Sequence, residues 1–80
     1  MKTVTVSYFA SLREERGLSE EAVRTAASTA ADLFADLSAK TAFSLPQARL
    51  RVAINDAFAT WSAPIREGDR IALIPPVAGG

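Results

Sequence analysis

Apolar residues recur at every second position near the start of the chain, where Val4, Val6 and Tyr8 alternate with Thr3, Thr5, Ser7 and Phe9. A period of two puts the first set on one face of a strand and the second set on the other, which predicts a half-buried strand. Residues 10–17 then read as a short helical turn with Leu12 inward, closed by Gly17 in the left-handed conformation that ends helices. A second, weaker strand is predicted over 21–25, with Ala22 and Arg24 on one face and Val23 and Thr25 on the other. From Ser28 the period changes to that of a helix. Ser28 or Thr29 supplies the N-cap, and Asp32, three after Thr29, forms a short capping box. Ala30, Leu33, Phe34, Leu37 and Thr41 follow at helical spacing as one apolar stripe. Residues 43–48 read as loop. Alternation returns in 49–55, with Leu50, Val52 and Ile54 inward, and a short strand over 57–61 leaves either Phe58 or Trp61 for the core. A turn at 64–69 leads into a last strand at 70–74.

The resulting order is strand, strand, helix, strand, strand, strand, and the single apolar stripe of the one long helix can cover one face of one sheet. That is a two-layer α+β sandwich. If the first two strands form a hairpin and the last strand pairs beside the first, the fold is the ubiquitin-like β-grasp, a mixed sheet of about five strands packed on one main helix. The domain is expected over 1–74, with an extended tail over 75–80.

Composition narrows the function. Eighty residues make one domain with a modest core, and 49% apolar with 22% charged residues is the balance of a folded globular chain. The formal net charge is zero and neither sign forms a block, so nucleic acid is not an expected partner. No stretch reaches the roughly 20 apolar residues of a membrane span, and the alternating start is unlike a signal peptide, so no membrane partner and a cytoplasmic location are expected. The chain has no cysteine and no histidine, hence no thiol nucleophile, no imidazole base and no metal site of the common kind. An autonomous enzyme is disfavoured. No phosphate-binding glycine loop is present, so no cofactor is expected to be bound and ATP would belong to a partner. Arg13, Arg66 and Arg70 read as a solvated face, and Asp56 and Asp69 as turn formers.

The end of the chain stands apart. Pro75 and Pro76 cannot donate to a ladder and favour extended geometry, so they end the last strand and direct the chain away from the body. At about 3.3 Å per residue, 75–80 can reach roughly 20 Å, enough to enter another protein's active site. Gly79 and Gly80 carry no side chains, which suits a terminus that passes a narrow tunnel and is itself a reactant. The bland alternative is a frayed end of small residues. On the strands, Phe9 and Ile74 fall on the side where water is expected, and Phe58 joins them if its phase allows. These would form a docking face, unless the side chains fold back under the sheet at the strand ends.

The segment Arg-Glu-Gly-Asp-Arg-Ile-Ala-Leu-Ile-Pro-Pro-Val-Ala-Gly-Gly at the end, Val-Ala-Ile-Asn-Asp upstream and Tyr-Phe-Ala-Ser-Leu-Arg-Glu-Glu-Arg-Gly near the start resemble the small, sulfur-carrier subunits of molybdopterin synthase. The likeness spans almost the entire chain; only 20–48 carries no distinctive signature. It implies a non-catalytic carrier of a heterotetrameric synthase. A ubiquitin-activating-like adenylyltransferase would use ATP to adenylate the carboxylate of Gly80, which follows Gly79, and a persulfide donor would convert it to a thiocarboxylate. Inside the large synthase subunit the sulfur would pass to a cyclic pyranopterin precursor in molybdenum cofactor biosynthesis. Phe9, Phe58 and Ile74, with Pro75, Pro76 and Val77, sit at positions matching that family's partner contact. Leu73 and Ile74 replace aromatics common before the prolines, which bears on docking affinity. A sulfur carrier for thiamine, a protein modifier joined to lysines and a plain interaction module remain as rivals, and Pro-Pro-Val before Ala-Gly-Gly favours the molybdopterin branch.

Overall fold

The computed structural model describes residues 1–76. Its elements are β1 (Lys2–Tyr8), α1 (Ser11–Arg16), β2 (Glu20–Thr25), α2 (Ala30–Lys40), β3 (Arg51–Ile54), β4 (Ala57–Ala59) and β5 (Arg70–Ile74). The sheet order is β2-β1-β5-β3-β4, with β1 and β5 parallel and the other neighbours antiparallel. This is the expected mixed five-stranded sheet under one main helix, the ubiquitin-like β-grasp.

The alternation of β1 is realised in full, since Val4, Val6 and Tyr8 are buried. On β5, Ile71 and Leu73 point the same way, and on β2 it is Val23 and Thr25. Against this surface α2 lays Ala30, Leu33, Phe34 and Leu37. Each large aliphatic side chain so buried contributes roughly 1.5 to 3 kcal/mol. The cap of α2 is Thr29, whose Oγ1 accepts a hydrogen bond from the Asp32 backbone N–H at 3.2 Å. The helix stops at Lys40; Thr41 is its C-cap in extended conformation, one position short of the apolar stripe read from the sequence. Helix α1 buries Leu12 and ends on Gly17 at φ 80°, where a side chain would strain the backbone.

Two segments read as connections prove to be part of the core. Phe43 and Leu45 pack on it from the loop after α2, and that loop closes in a single 3₁₀ turn at Gln47–Arg49. The stretch before β5 clamps the start of α2: the Ala30 and Ala31 N–H groups donate to the carbonyls of Ala63 and Trp61, and Ile65, itself buried, donates to Ser28. The first two bonds satisfy donors that every helix N-terminus leaves open. They also settle the choice between the two aromatics of 57–61. The Trp61 ring lies 5.5 Å from that of Phe34 and packs on the core, whereas Phe58 is exposed on β4, a strand that ends at Ala59.

Asn55 and Asp56 both have positive φ, at 52° and 70°, as the two-residue hairpin between β3 and β4 requires. Asn55 then reaches across to β5, donating to Asp69 Oδ1 and accepting from the Arg70 N–H, while Asp69 Oδ2 accepts from the Arg66 N–H. Both aspartates serve turns, as expected. Truncating the centre of the core, Leu33→Ala, is expected to lower stability by about 3 kcal/mol, measured by urea denaturation.

Candidate docking face and tail root

Parallel pairing of β1 with β5 sets Tyr8 beside Leu73, so the next residues, Phe9 and Ile74, emerge together at one end of the sheet. Phe9 is 45% exposed and Ile74 half-buried, so neither side chain has folded away under the sheet. Between Phe9 and the strand end lies a groove of about 540 Å³ lined by Phe9, Ala10, Leu45, Ile74, Pro75 and Pro76. On the other side of Ile74, Pro75 and Pro76 is a second depression of about 280 Å³, lined also by Arg49, Arg51 and Phe58. The end of β5 and the prolines therefore form a ridge between two hollows, with Phe9 beyond one and Phe58 beyond the other. Pro75 is buried and Pro76 exposed, so Pro75 still packs on the body. Val77, Gly79 and Gly80 lie outside the described residues.

Phe58 is 69% exposed and directly opposite Ala53, which is opposite Ala72, which pairs with Ser7. One row across the outer face of the sheet is thus a floor of small side chains ending in a phenyl ring. Over that ring, 5.6 Å from its centroid, sits the guanidinium carbon of Arg51. Such a stack holds the cation in place without neutralising it.

Phe9 is aimed by the turn behind it. Ala10 adopts φ 51° and ψ −125°, a region that suits glycine, and its carbonyl accepts from the N–H groups of Arg13 and Glu14. Holding a residue with a Cβ there costs about 1 to 3 kcal/mol, which the surrounding packing must offset. Underneath, the Tyr8 hydroxyl donates to Glu21 Oε2 at 2.6 Å, and Arg16 Nε and Nη2 donate to the same carboxylate at 2.8 and 2.9 Å. This network ties α1, β1 and β2 together beneath the turn. The Arg16 hydrogen bonds hold the Glu21 carboxyl below its ordinary range, while burial, with Glu21 beside it, pushes the Tyr8 hydroxyl well above the usual phenol value.

Sequence reasoning found Phe9, Phe58, Ile74 and the prolines, and the structure brings them to one end of the sheet. It missed Ala10, Leu45, Arg49 and Arg51. Leu45 had a signal, standing with Phe43 as one of two large apolar residues in a short loop, and Arg51 lay outward in a legible alternation; an alanine gives no sign of an unusual backbone. Among the described residues no group of three or more acidic side chains is placed to hold a metal ion, and no helix is long and apolar enough to cross a membrane.

A family model described as the ThiS family matches residues 6–80. The chain belongs to the ThiS family. A curated relative, the molybdopterin synthase sulfur carrier subunit of Escherichia coli strain K12, is 30% identical over 80 residues, covering 96% of this chain and 99% of the relative. Among solved structures, SAMP1 from Haloferax volcanii superposes with a TM-score of 0.79 at 25% identity, covering 98% of this chain and 99% of that one. In the complex of subunits 1 and 2 of molybdopterin-converting factor from Helicobacter pylori 26695, one chain matches with a TM-score of 0.69 at 28% identity, covering 98% and 99%. The resemblance drawn from the tail motif is borne out. With it stands the coarse class of this ThiS-family chain, a ubiquitin-like sulfur-carrier small subunit.

Two outcomes follow from this geometry. Phe58→Asp is expected to change stability by less than about 0.5 kcal/mol, because the ring is exposed, whereas Trp61→Asp should cost at least about 2 kcal/mol; thermal unfolding followed by circular dichroism separates them. The Glu21 carboxyl, depressed in the folded state, contributes stability that is present above its ordinary value of 4.5 and lost as pH falls through the lower folded value. The melting temperature should therefore fall more steeply below pH 4.5 in the native chain than in Glu21→Gln.

Proposed function

We propose that this chain is the sulfur-donating subunit of a molybdopterin synthase and that the reacting group is the carboxylate of Gly80. The carboxylate attacks the α-phosphorus of ATP on a ubiquitin-activating-like adenylyltransferase, and pyrophosphate leaves. The terminal sulfur of a donor persulfide then attacks the acyl carbon, AMP leaves, and a thiol cleaves the sulfur–sulfur bond to release a thiocarboxylate. On the large synthase subunit that sulfur passes to a cyclic pyranopterin precursor, and two loaded carriers complete one dithiolene.

The observation that carries this reading is the family match running to residue 80 on a chain with neither cysteine nor histidine. Such a chain contributes the activated atom and borrows its catalytic groups. The packed Pro75 and exposed Pro76 support it by giving the last four residues a fixed starting point beside Phe9, Phe58 and Ile74, the contacts we assign to partners together with Val77. The curated relative's name and the two-subunit Helicobacter complex favour a large synthase subunit as the partner. We place the cycle in the cytoplasm.

The likeness to SAMP1, named elsewhere in Haloferax volcanii as small archaeal modifier protein 1, favours a second reading in which Gly80 is joined to lysines of other proteins. Intact mass before and after incubation with ATP, the activating enzyme and a sulfur donor separates the two. The carrier reading expects a shift matching one oxygen replaced by sulfur, located on Gly80 by fragmentation. Ladders of higher-mass conjugates in cell extract with no thiocarboxylate would favour the modifier. One residue added after Gly80 should abolish sulfur transfer while leaving the circular dichroism spectrum unchanged; full transfer by the extended chain would overturn the terminal-carboxylate mechanism.

A further inference from the structure

The neutral total charge hides an uneven distribution. On the face of the sheet turned away from α2, the register places Arg70 beside Thr5, Arg51 beside Ile74 and Arg24 beside Thr3, all exposed. Arg49 joins Arg51 in the depression beside Phe58. Among the described residues the one ion pair is Arg16 with Glu21, so Arg24, Arg49, Arg51 and Arg70 all lack a carboxylate within pairing distance. The strands place a single acid on this face, Glu20 at the β2 corner opposite Ser7. Glu67 and Asp69, at the far end, already accept from the Thr3 N–H and from the Arg66 N–H and Asn55. Exposed acids gather instead on the helices, at Glu14, Glu15, Asp32 and Asp36.

We infer that this face docks a protein surface with an apolar centre and an acidic rim, whose carboxylates meet Arg49 and Arg51 beside Phe58 and Ile74, and Arg70 four residues back along β5. The inference rests on the carrier reading, which requires a partner at this end of the sheet, and adds the chemistry of that partner. Ser7, Ala72 and Ala53 leave a low floor onto which an apolar partner side chain can close, and the Arg51–Phe58 stack presents its cation at the edge of that floor. A solvated face, the reading of Arg70 from sequence, would give no reason for acids to be missing around Arg49 and Arg51 while they gather on the helices. Complementary charge of this kind acts mainly on the rate of encounter.

The test is surface plasmon resonance of the full chain on the large molybdopterin synthase subunit of the same organism, at about 0.05 and 0.5 M salt, which spans strong to nearly complete screening. The native chain should associate at least tenfold more slowly at high salt, and R51E/R70E should lose about tenfold in association rate at low salt. R51Q/R70Q should lose less, and Lys40→Gln, a charge removed at the end of α2, should lose nothing. Circular dichroism checks that each variant folds. An association rate indifferent to salt and to R51E/R70E overturns the acidic-rim proposal while leaving the carrier reading standing. No binding by the native chain at either salt overturns both. A dimer of the native chain by analytical ultracentrifugation that R51E/R70E abolishes would assign the face to a second copy and overturn the proposal.

Discussion

The parallel pairing of β1 with β5 at the centre of the sheet is the contact from which the rest of this structure follows. Val4, Val6 and Tyr8 on one strand and Ile71 and Leu73 on the other form a continuous apolar surface, and α2 has one stripe with which to cover it. The two strands lie almost at opposite ends of the chain, so closing them costs loop entropy that only this burial and the ladder return. Because the pairing is parallel, both strands finish at the same end, which is why the turn carrying Phe9 and the prolines that follow Ile74 are neighbours. The antiparallel pairing of β3 with β5 then brings Arg51 opposite Ile74 and Phe58 within two strands of Ala72.

The end of the sheet is built to hold its shape. Behind Phe9 stand a strained alanine, the short helix α1 and the network of Tyr8, Glu21 and Arg16, in which three strong hydrogen bonds meet on one carboxylate. Pro75, buried on the body, fixes the direction in which the chain leaves the sheet.

A neutral net charge argues against nucleic acid, yet it says nothing about how charge is arranged. The alternation read over 49–55 set Arg49 and Arg51 on one face, although Arg49 ends the 3₁₀ turn and only Arg51 belongs to β3. The placement of Arg51 opposite Ile74, with Arg70 on the same face four residues back along β5, was not legible, because it depends on a register between strands separated by fifteen residues of turn and hairpin. The same holds for Phe58 and Trp61. A strand of three residues has too little alternation to set its phase, and the decision was made by the ring of Phe34 on α2 and by the backbone bonds that clamp 61–65 to the helix N-terminus.

The order of elements, the inward faces of β1, α2 and β5, the helix start at Ser28 or Thr29 and the proline–glycine ending were determined by the sequence alone, because each rests on local periodicity or on the fixed stereochemistry of a single residue type. Tertiary structure decided the rest. Phe43, Leu45 and Ile65 became core because the sheet and helix left their edges open, Ala10 took an unfavourable conformation between the buried Tyr8 and Leu12, and the arginines of β2, β3 and β5 came to share one face because strands distant in sequence lie about 4.8 Å apart in space.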